Sequence, residues 1–393
     1  MPTADGQDQS IDDIRDDYRV HAGPFYVDPA IRLKELGVDT NVFNQADDPK
    51  SDFTAVVAPQ AAVAIPFTNR ELVKSLLAAD LVYYAQYASE RSVDPQAAVR
   101  AEVYAGRLTF FVSGAYLNTR ERLNYSIDVR ARHLQDDLSG GVAFHATTRL
   151  TVEAAASGGR IRFDGDEYFN GQRLKETLDR DTQVFSITAR QRRNGLSTIG
   201  LRYETQTDRF PLSPVRDTDS FRVMPGIEFR PRALLNGSAW VGYRRFDPKA
   251  AVLPSQAGLV SQLALSYALL GATVFGVTYD RDYQFAYEAL TPYYVDNSVG
   301  VFVRRAIAGR ADVRVSVARH RYDYQALLTG PILAELAADR VDTTDNYGVN
   351  IGFRLKRQTR AGVGLSYWTR DSTHFDYRNY TGLRFGLTMD REF

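Results

Sequence analysis

The chain has 393 residues, in which 48 Lys and Arg are balanced by 48 Asp and Glu, with 23 Tyr, 21 Phe, 3 Met, 2 Trp and no Cys. The charge balance leaves no net field to recruit nucleic acid, and the missing cysteines exclude disulfides, thiolate metal sites and a cysteine nucleophile. The aromatic bias favours strands, while apolar runs such as Ala61 to Phe67 and Leu259 to Val277 are short or interrupted before they reach the ~20 unbroken apolar residues of a spanning helix.

Residues 1–29 come first. They are acidic up to Asp17 and mixed thereafter, and Pro24 and Pro29 oppose a long helix, so a flexible N-terminal periplasmic segment is expected. The opening MPTADGQDQSIDDIRDD carries neither the basic nor the apolar region of a secretory signal, as expected of a chain whose signal has been removed.

Residues 30–393 then break into about eighteen segments that alternate apolar and polar side chains, the period-two signature of a membrane barrel. The first nine are Ile31 to Asn44, Asp52 to Pro66, Leu72 to Ala88, Gln96 to Ala105, Leu108 to Arg120, Asp128 to Phe144, Leu150 to Asp164, Gln183 to Arg192 and Ser197 to Arg209. The second nine are Ser220 to Pro231, Gly237 to Asp247, Leu259 to Leu270, Thr273 to Glu288, Val295 to Ile307, Ala311 to Ala326, Asp342 to Lys356, Ala361 to Asp371 and Arg378 to Arg391. The connections alternate between tight turns, such as Gly106 to Arg107 and Ala308 to Gly309, and longer stretches rich in Asp, Pro and Arg, such as Gly165 to Thr182 and Leu327 to Val341. Short periplasmic turns and longer extracellular loops are the habit of outer-membrane barrels, and both termini on the inner side require an even strand number. The expected fold is therefore all-β, a transmembrane antiparallel up-and-down barrel in the outer membrane of a Gram-negative bacterium. A short helix from Ser10 to Tyr18 would plug such a barrel or dock a periplasmic partner, and the stretch after Pro331 has the Ala, Leu and Glu content of a loop helix.

The faces follow from parity. Phe221, Val223, Pro225, Ile227 and Phe229 alternate with Arg222, Met224, Gly226, Glu228 and Arg230, and Tyr347, Val349, Ile351, Phe353 and Leu355 alternate with Gly348, Asn350, Gly352, Arg354 and Lys356. Side chains could not fill a barrel of this size, so the apolar set must face lipid; Leu383, Phe385 and Leu387 join it in the last segment. The polar set supplies candidate pore-lining residues: Arg100, Glu102, Arg190, Arg202, Glu204, Arg222, Glu228, Arg230, Arg244, Arg304, Arg314, Arg354 and Arg384. Either these pair across strands and merely solvate the wall, or they line a path that selects anions and grips carboxylates.

At the first two segments, Phe25-Tyr-Val-Asp-Pro29, Leu33, the run Gly37 to Phe43, Asp52-Phe53 and Pro59 resemble the opening of the family called putative β-barrel porin 2. The resemblance implies an outer-membrane role in polymer secretion, because its members often accompany exopolysaccharide synthesis and export genes, and it implies a periplasmic polysaccharide-export protein as a partner. The chain ends in Phe393, preceded at two-residue steps by Arg391, Met389, Leu387, Phe385 and Leu383, which resembles the insertion signal that outer-membrane proteins present to the barrel-assembly machinery. Membrane lipid and lipopolysaccharide are the other expected partners.

The five histidines, His21, His133, His145, His320 and His374, lack the spacing of a zinc site, and no cofactor or metal is expected. Two His-Asp neighbours, His374 with Asp376 and His320 with Asp323, are the only hints of a barrel-borne hydrolase. A pore is the first expectation, a non-conducting structural or adhesive barrel with ligand-binding loops the second, and an enzyme the last.

Overall fold

The computed structural model describes residues 18–123, 126–229, 234–288, 291–325, 340–356 and 358–393. Eighteen long strands run antiparallel to their sequence neighbours: β1 (Phe25–Asp39), β2 (Asp52–Thr68), β3 (Glu71–Tyr84), β4 (Ser92–Ala105), β5 (Leu108–Glu121), β6 (Ala131–His145), β7 (Leu150–Phe163), β8 (Arg180–Arg192) and β9 (Ser197–Arg209). The ring continues through β10 (Thr218–Phe229), β11 (Leu235–Pro248), β12 (Gln256–Leu269), β13 (Thr273–Phe285), β14 (Tyr293–Ile307), β15 (Ala311–Gln325), β16 (Val341–Lys356), β17 (Thr359–Ser372) and β18 (Tyr380–Glu392). Strand β18 pairs back onto β1, from Ala30 opposite Glu392 to Asp39 opposite Arg384, and this contact closes the sheet. A barrel exposes no sheet edge, which is what a lipid environment demands of a strand protein.

Tight hairpins occupy the end that carries the termini. At the β14–β15 turn Ala308 and Gly309 both take positive φ, 48° and 70°, and at the β12–β13 turn Leu270 and Gly271 do the same at 51° and 67°. Two successive left-handed residues match the right-handed twist of paired strands, so these tight turns, three residues between the last paired positions, hold register without splaying the hairpin.

The first strand departs most from its expected bounds, starting at Phe25 where the alternation placed Ile31, and ending at Asp39 where it placed Asn44. Pro29 is accommodated because its carbonyl still accepts the Phe393 N–H at 3.0 Å, although it cannot donate. A bulge between Leu33 and Leu36 then breaks the period and brings Lys34 to Asp80 at 2.5 Å and Glu35 to Arg384 at 3.4 Å. A three-residue strand, Val20–Ala22, folds back on β1. The β7–β8 loop holds a small hairpin, Tyr168–Phe169 against Gln172–Arg173, and a single helical turn, Leu174–Leu178. The helix expected from Ser10, except for Tyr18, the loop helix after Pro331, except for Arg340, and Arg230 all lie outside the described residues.

Each strand presents two chemically distinct faces. Ile351, Phe353, Leu355, Val349, Leu383, Phe385 and Leu387 are all exposed on one of them, as are Leu201 and Tyr203. Phe221, Val223, Ile227 and Phe229 stand on that same side of β10, opposite Thr205, Tyr203, Ile199 and Ser197 of β9. The other face is the concave one, because its side chains meet across intervening strands: Arg222 of β10 reaches Asp282 of β13 at 3.1 Å, and Arg360 of β17 reaches Asp312 of β15 at 2.8 Å. Side chains on a convex surface diverge and could not make such contacts.

Candidate functional site

The concave face carries the charged candidates, and the strand register determines what each one meets. Arg100 binds Glu102 at 2.6 Å; Arg190 lies between Glu153 and Glu228, both at 3.3 Å; Arg222 joins Glu204 at 2.7 Å to Asp282; and Arg244 shares Asp282 at 2.6 Å. Arg304 stands 3.9 Å from Asp312, Arg384 binds Asp39 at 2.5 Å, and Arg354 is exposed on the same face. Arg202 and Arg314 each lie over an aromatic ring, Trp240 at 4.5 Å and Phe302 at 4.2 Å to the centroid. Among the described residues neither pairs with a carboxylate.

Those two stacks belong to a repeated arrangement. Phe111, Trp240, Phe302 and Trp368 each sit directly opposite a glycine of an adjacent strand, Gly141, Gly226, Gly276 and Gly382 respectively. A Cβ on any of these glycines would overlap the ring, so each ring lies across bare backbone. Its other side is covered by an arginine: Arg100 over Phe111, Arg202 over Trp240, Arg314 over Phe302 and Arg384 over Trp368. A cation over a ring face gains from the ring quadrupole, more so when partly desolvated. Four of the candidate arginines are thus aimed by a glycine two layers beneath them.

Exposure along the concave face changes from end to end. Near the turns Arg304, Arg314, Arg354 and Lys356 are open, whereas near the loops Arg244, Tyr294, Tyr322 and Asp342 are buried. The cause is the set of external loops, which fold over the mouth. Asp128 of the β5–β6 loop accepts from Arg370 of β17 and from Arg378 of the β17–β18 loop, both at 3.0 Å, and from the Tyr380 hydroxyl at 2.6 Å. Glu288 of the β13–β14 loop accepts from Arg340 at 2.9 Å and Arg378 at 3.0 Å, and Asp342 at the head of β16 accepts from Arg340 at 2.7 Å and Arg370 at 2.6 Å. The helical turn Leu174–Leu178 packs with Ile127 and Tyr287, and Arg216 of the β9–β10 loop donates to the carbonyls of Ala286, Tyr287, Glu288 and Pro292.

The loops bearing Asp128 and Glu288 leave the rim eight strands apart in a ring of eighteen, almost opposite one another. With strands about 4.8 Å apart and tilted about 40°, such a ring is about 35 Å across at the backbone. Contact between these loops therefore takes place over the opening. Burial and the neighbouring Arg370 both oppose the charge on Arg378, yet Asp128, Tyr324 and Glu288 outweigh them, and the guanidinium stays above its ordinary value.

The proposed His-Asp neighbours are not brought together. His320 stands 3.5 Å from Asp296 of the adjacent strand, with Asp323 on the other face, and His374 contacts Thr373 at 2.8 Å. None of Asp128, Glu288, Arg340, Arg370 and Arg378 stood out in the sequence.

A closed antiparallel ring, an apolar convex face, a charged concave face, and turns and loops segregated to opposite ends define an outer-membrane β-barrel of the porin type. The chain belongs to the putative β-barrel porin 2 family, whose signature matches residues 19–393. Two solved structures from Pseudomonas aeruginosa are similar in fold. The outer membrane protein opdK is 8% identical with a TM-score of 0.52, the match covering 93% of this chain and 99% of that one. OpdQ is 11% identical, also at 0.52, with 93% and 98% covered. No curated protein matches the sequence.

Proposed function

We propose that this protein is a pore of the Gram-negative outer membrane for polar, anionic solutes, with carboxylated polysaccharide the favoured cargo and exopolysaccharide secretion the process it serves. The observation that carries this reading is the set of inner-face arginines that make no ion pair among the described residues, Arg202 and Arg314 on their rings and the exposed Arg354. Ion-paired arginines cancel locally, but these keep a positive potential toward the lumen, and rings of basic residues favour anions. The open end of the concave face points to the periplasm, which suits outward traffic. The mechanism is steric and electrostatic filtering, with no covalent step.

The test is the reversal potential of the purified barrel in planar bilayers under a salt gradient. Changing Arg202, Arg314 and Arg354 to glutamine is expected to lower the anion-to-cation permeability ratio several-fold without loss of folding, since lumen substitutions tune selectivity and leave the lipid face alone. An unchanged reversal potential would discard the arginine path. The convergence of loops over the mouth favours a second reading, a non-conducting barrel whose loops bind external ligands, and a correctly folded barrel that never conducts would select it.

A further inference from the structure

The loop cluster over the mouth is a matched set of charges split between two sides. Three arginines stand on or beside β16–β18, namely Arg340, Arg370 and Arg378, and among the described residues the carboxylate of that side that they bind is Asp342. Two positive charges are left over, and two carboxylates arrive from elsewhere on the rim, Asp128 and Glu288. Arg340, Arg370 and Arg378 are each no more than 2% exposed, and Asp342 is fully buried. Lifting the loops away would strip these arginines of the Asp128 and Glu288 carboxylates and leave this wall with unmatched positive charge, which is unfavourable even where water enters. Another anion in the same position removes that penalty.

We propose that the external loops form a latched gate, in which the Asp128 and Glu288 carboxylates occupy positions on a basic wall that carboxylates of the anionic cargo take when the gate opens. The inference rests on the pore reading and adds a trigger to it. A ligand shifts a two-state equilibrium only by its differential affinity for the two states; here the difference exists because the closed state fills the arginines with the protein's own carboxylates. Guanidinium forks bind any carboxylate bidentately, so exchange needs no specific sugar. A neutral chain offers nothing to exchange and leaves the gate shut. Asp128 and Glu288 sit on loops that leave the rim eight strands apart, so each can lift away from the sector in which Arg370 is on β17, Arg340 abuts β16 and Arg378 is on the short β17–β18 connection. Asp342 belongs to β16 and stays with the arginines in either state.

Single-channel recording of the full barrel tests this. Wild type is expected to open rarely, and the double change Asp128→Asn with Glu288→Gln to raise open probability at least tenfold. Oligogalacturonate, a soluble chain of carboxylated sugars, is expected to raise the wild-type open probability when added to the turn side, and a maltooligosaccharide of equal length to have no effect. The change Asp128→Glu with Glu288→Asp disturbs both loops yet keeps both carboxylates, and is expected to keep the gate closed relative to Asp128→Asn with Glu288→Gln, which separates charge from mere loop disruption. Because the chain has no cysteine, Asp128→Cys with Arg378→Cys can be joined by a reducible bifunctional thiol reagent, which is expected to silence the channel until reductant is added. Heat-shifted gel mobility confirms folding of every variant. A wild type that conducts freely, or an oligogalacturonate response no different from the neutral chain, overturns the gate and leaves the pore standing. Silence in every folded, uncross-linked variant overturns the pore reading itself.

Discussion

Replacing Trp240 by alanine is expected to cost about 3 kcal/mol of folding free energy, the lower end of the range for a buried tryptophan, because water from the lumen can enter part of the space left behind. Trp240 is only 2% exposed; one side of its ring lies over Gly226 and Gly200, and the other carries Arg202 at 4.5 Å. The lost burial and the lost cation stack act in the same direction. A second substitution identifies the cause. Gly226→Ala alone is expected to be destabilising by about 1–3 kcal/mol, since its new methyl overlaps the ring. In the Trp240→Ala background the same change should cost less, since only the Ala239 carbonyl oxygen, 2.9 Å from the new methyl, is left to give way, and the pair should be non-additive. Urea titration of barrels folded in lipid vesicles measures all four corners. Additive costs would mean that the ring does not lie where we place it.

The elements that were legible in the sequence are those that repeat. The strand number came from turns alternating with loops, and the faces came from parity, neither of which depends on where a strand begins. The elements that were not legible depend on register or on closure. Pro29 and the bulge at Leu33 to Leu36 break the alternation in β1, so pattern reading started that strand six residues late. The ring-on-glycine pairs need the β10–β11 register, and a slip of one residue would turn Trp240 toward lipid. That Gly141 and Gly226 each lie under a specific ring of the neighbouring strand could be known only after pairing. The latch is less visible still. Asp128 lies 242 residues from Arg370 and 250 from Arg378, on loops without period, and only closure of the barrel brings them together. For the candidate arginines parity assigned a face, but it could not separate those held by acids, such as Arg190 and Arg222, from those held by rings.

Changing Ile351 to arginine is expected to impair folding into a bilayer by about 2–4 kcal/mol, the cost of a lipid-facing cation at mid-depth. Ile351 is 54% exposed on the convex face of β16 and sits opposite Val313 and Val363, away from both strand ends. With no water at that depth a guanidinium must either snorkel along the strand or draw headgroups inward, and both are costly. Its neighbour in sequence supplies the control. Asn350 points to the concave face, where its side-chain oxygen accepts from Arg360 at 2.8 Å. Asn350→Asp therefore introduces a charge one residue away, at the same depth, beside a cation already in place, and is expected to change stability by less than about 1 kcal/mol. The contrast between adjacent positions is what a barrel wall one residue thick requires, because successive side chains of a strand belong to different solvents. Equal penalties at the two positions would mean that the wall has no dry side at β16, and the placement of this strand in the membrane would then be wrong.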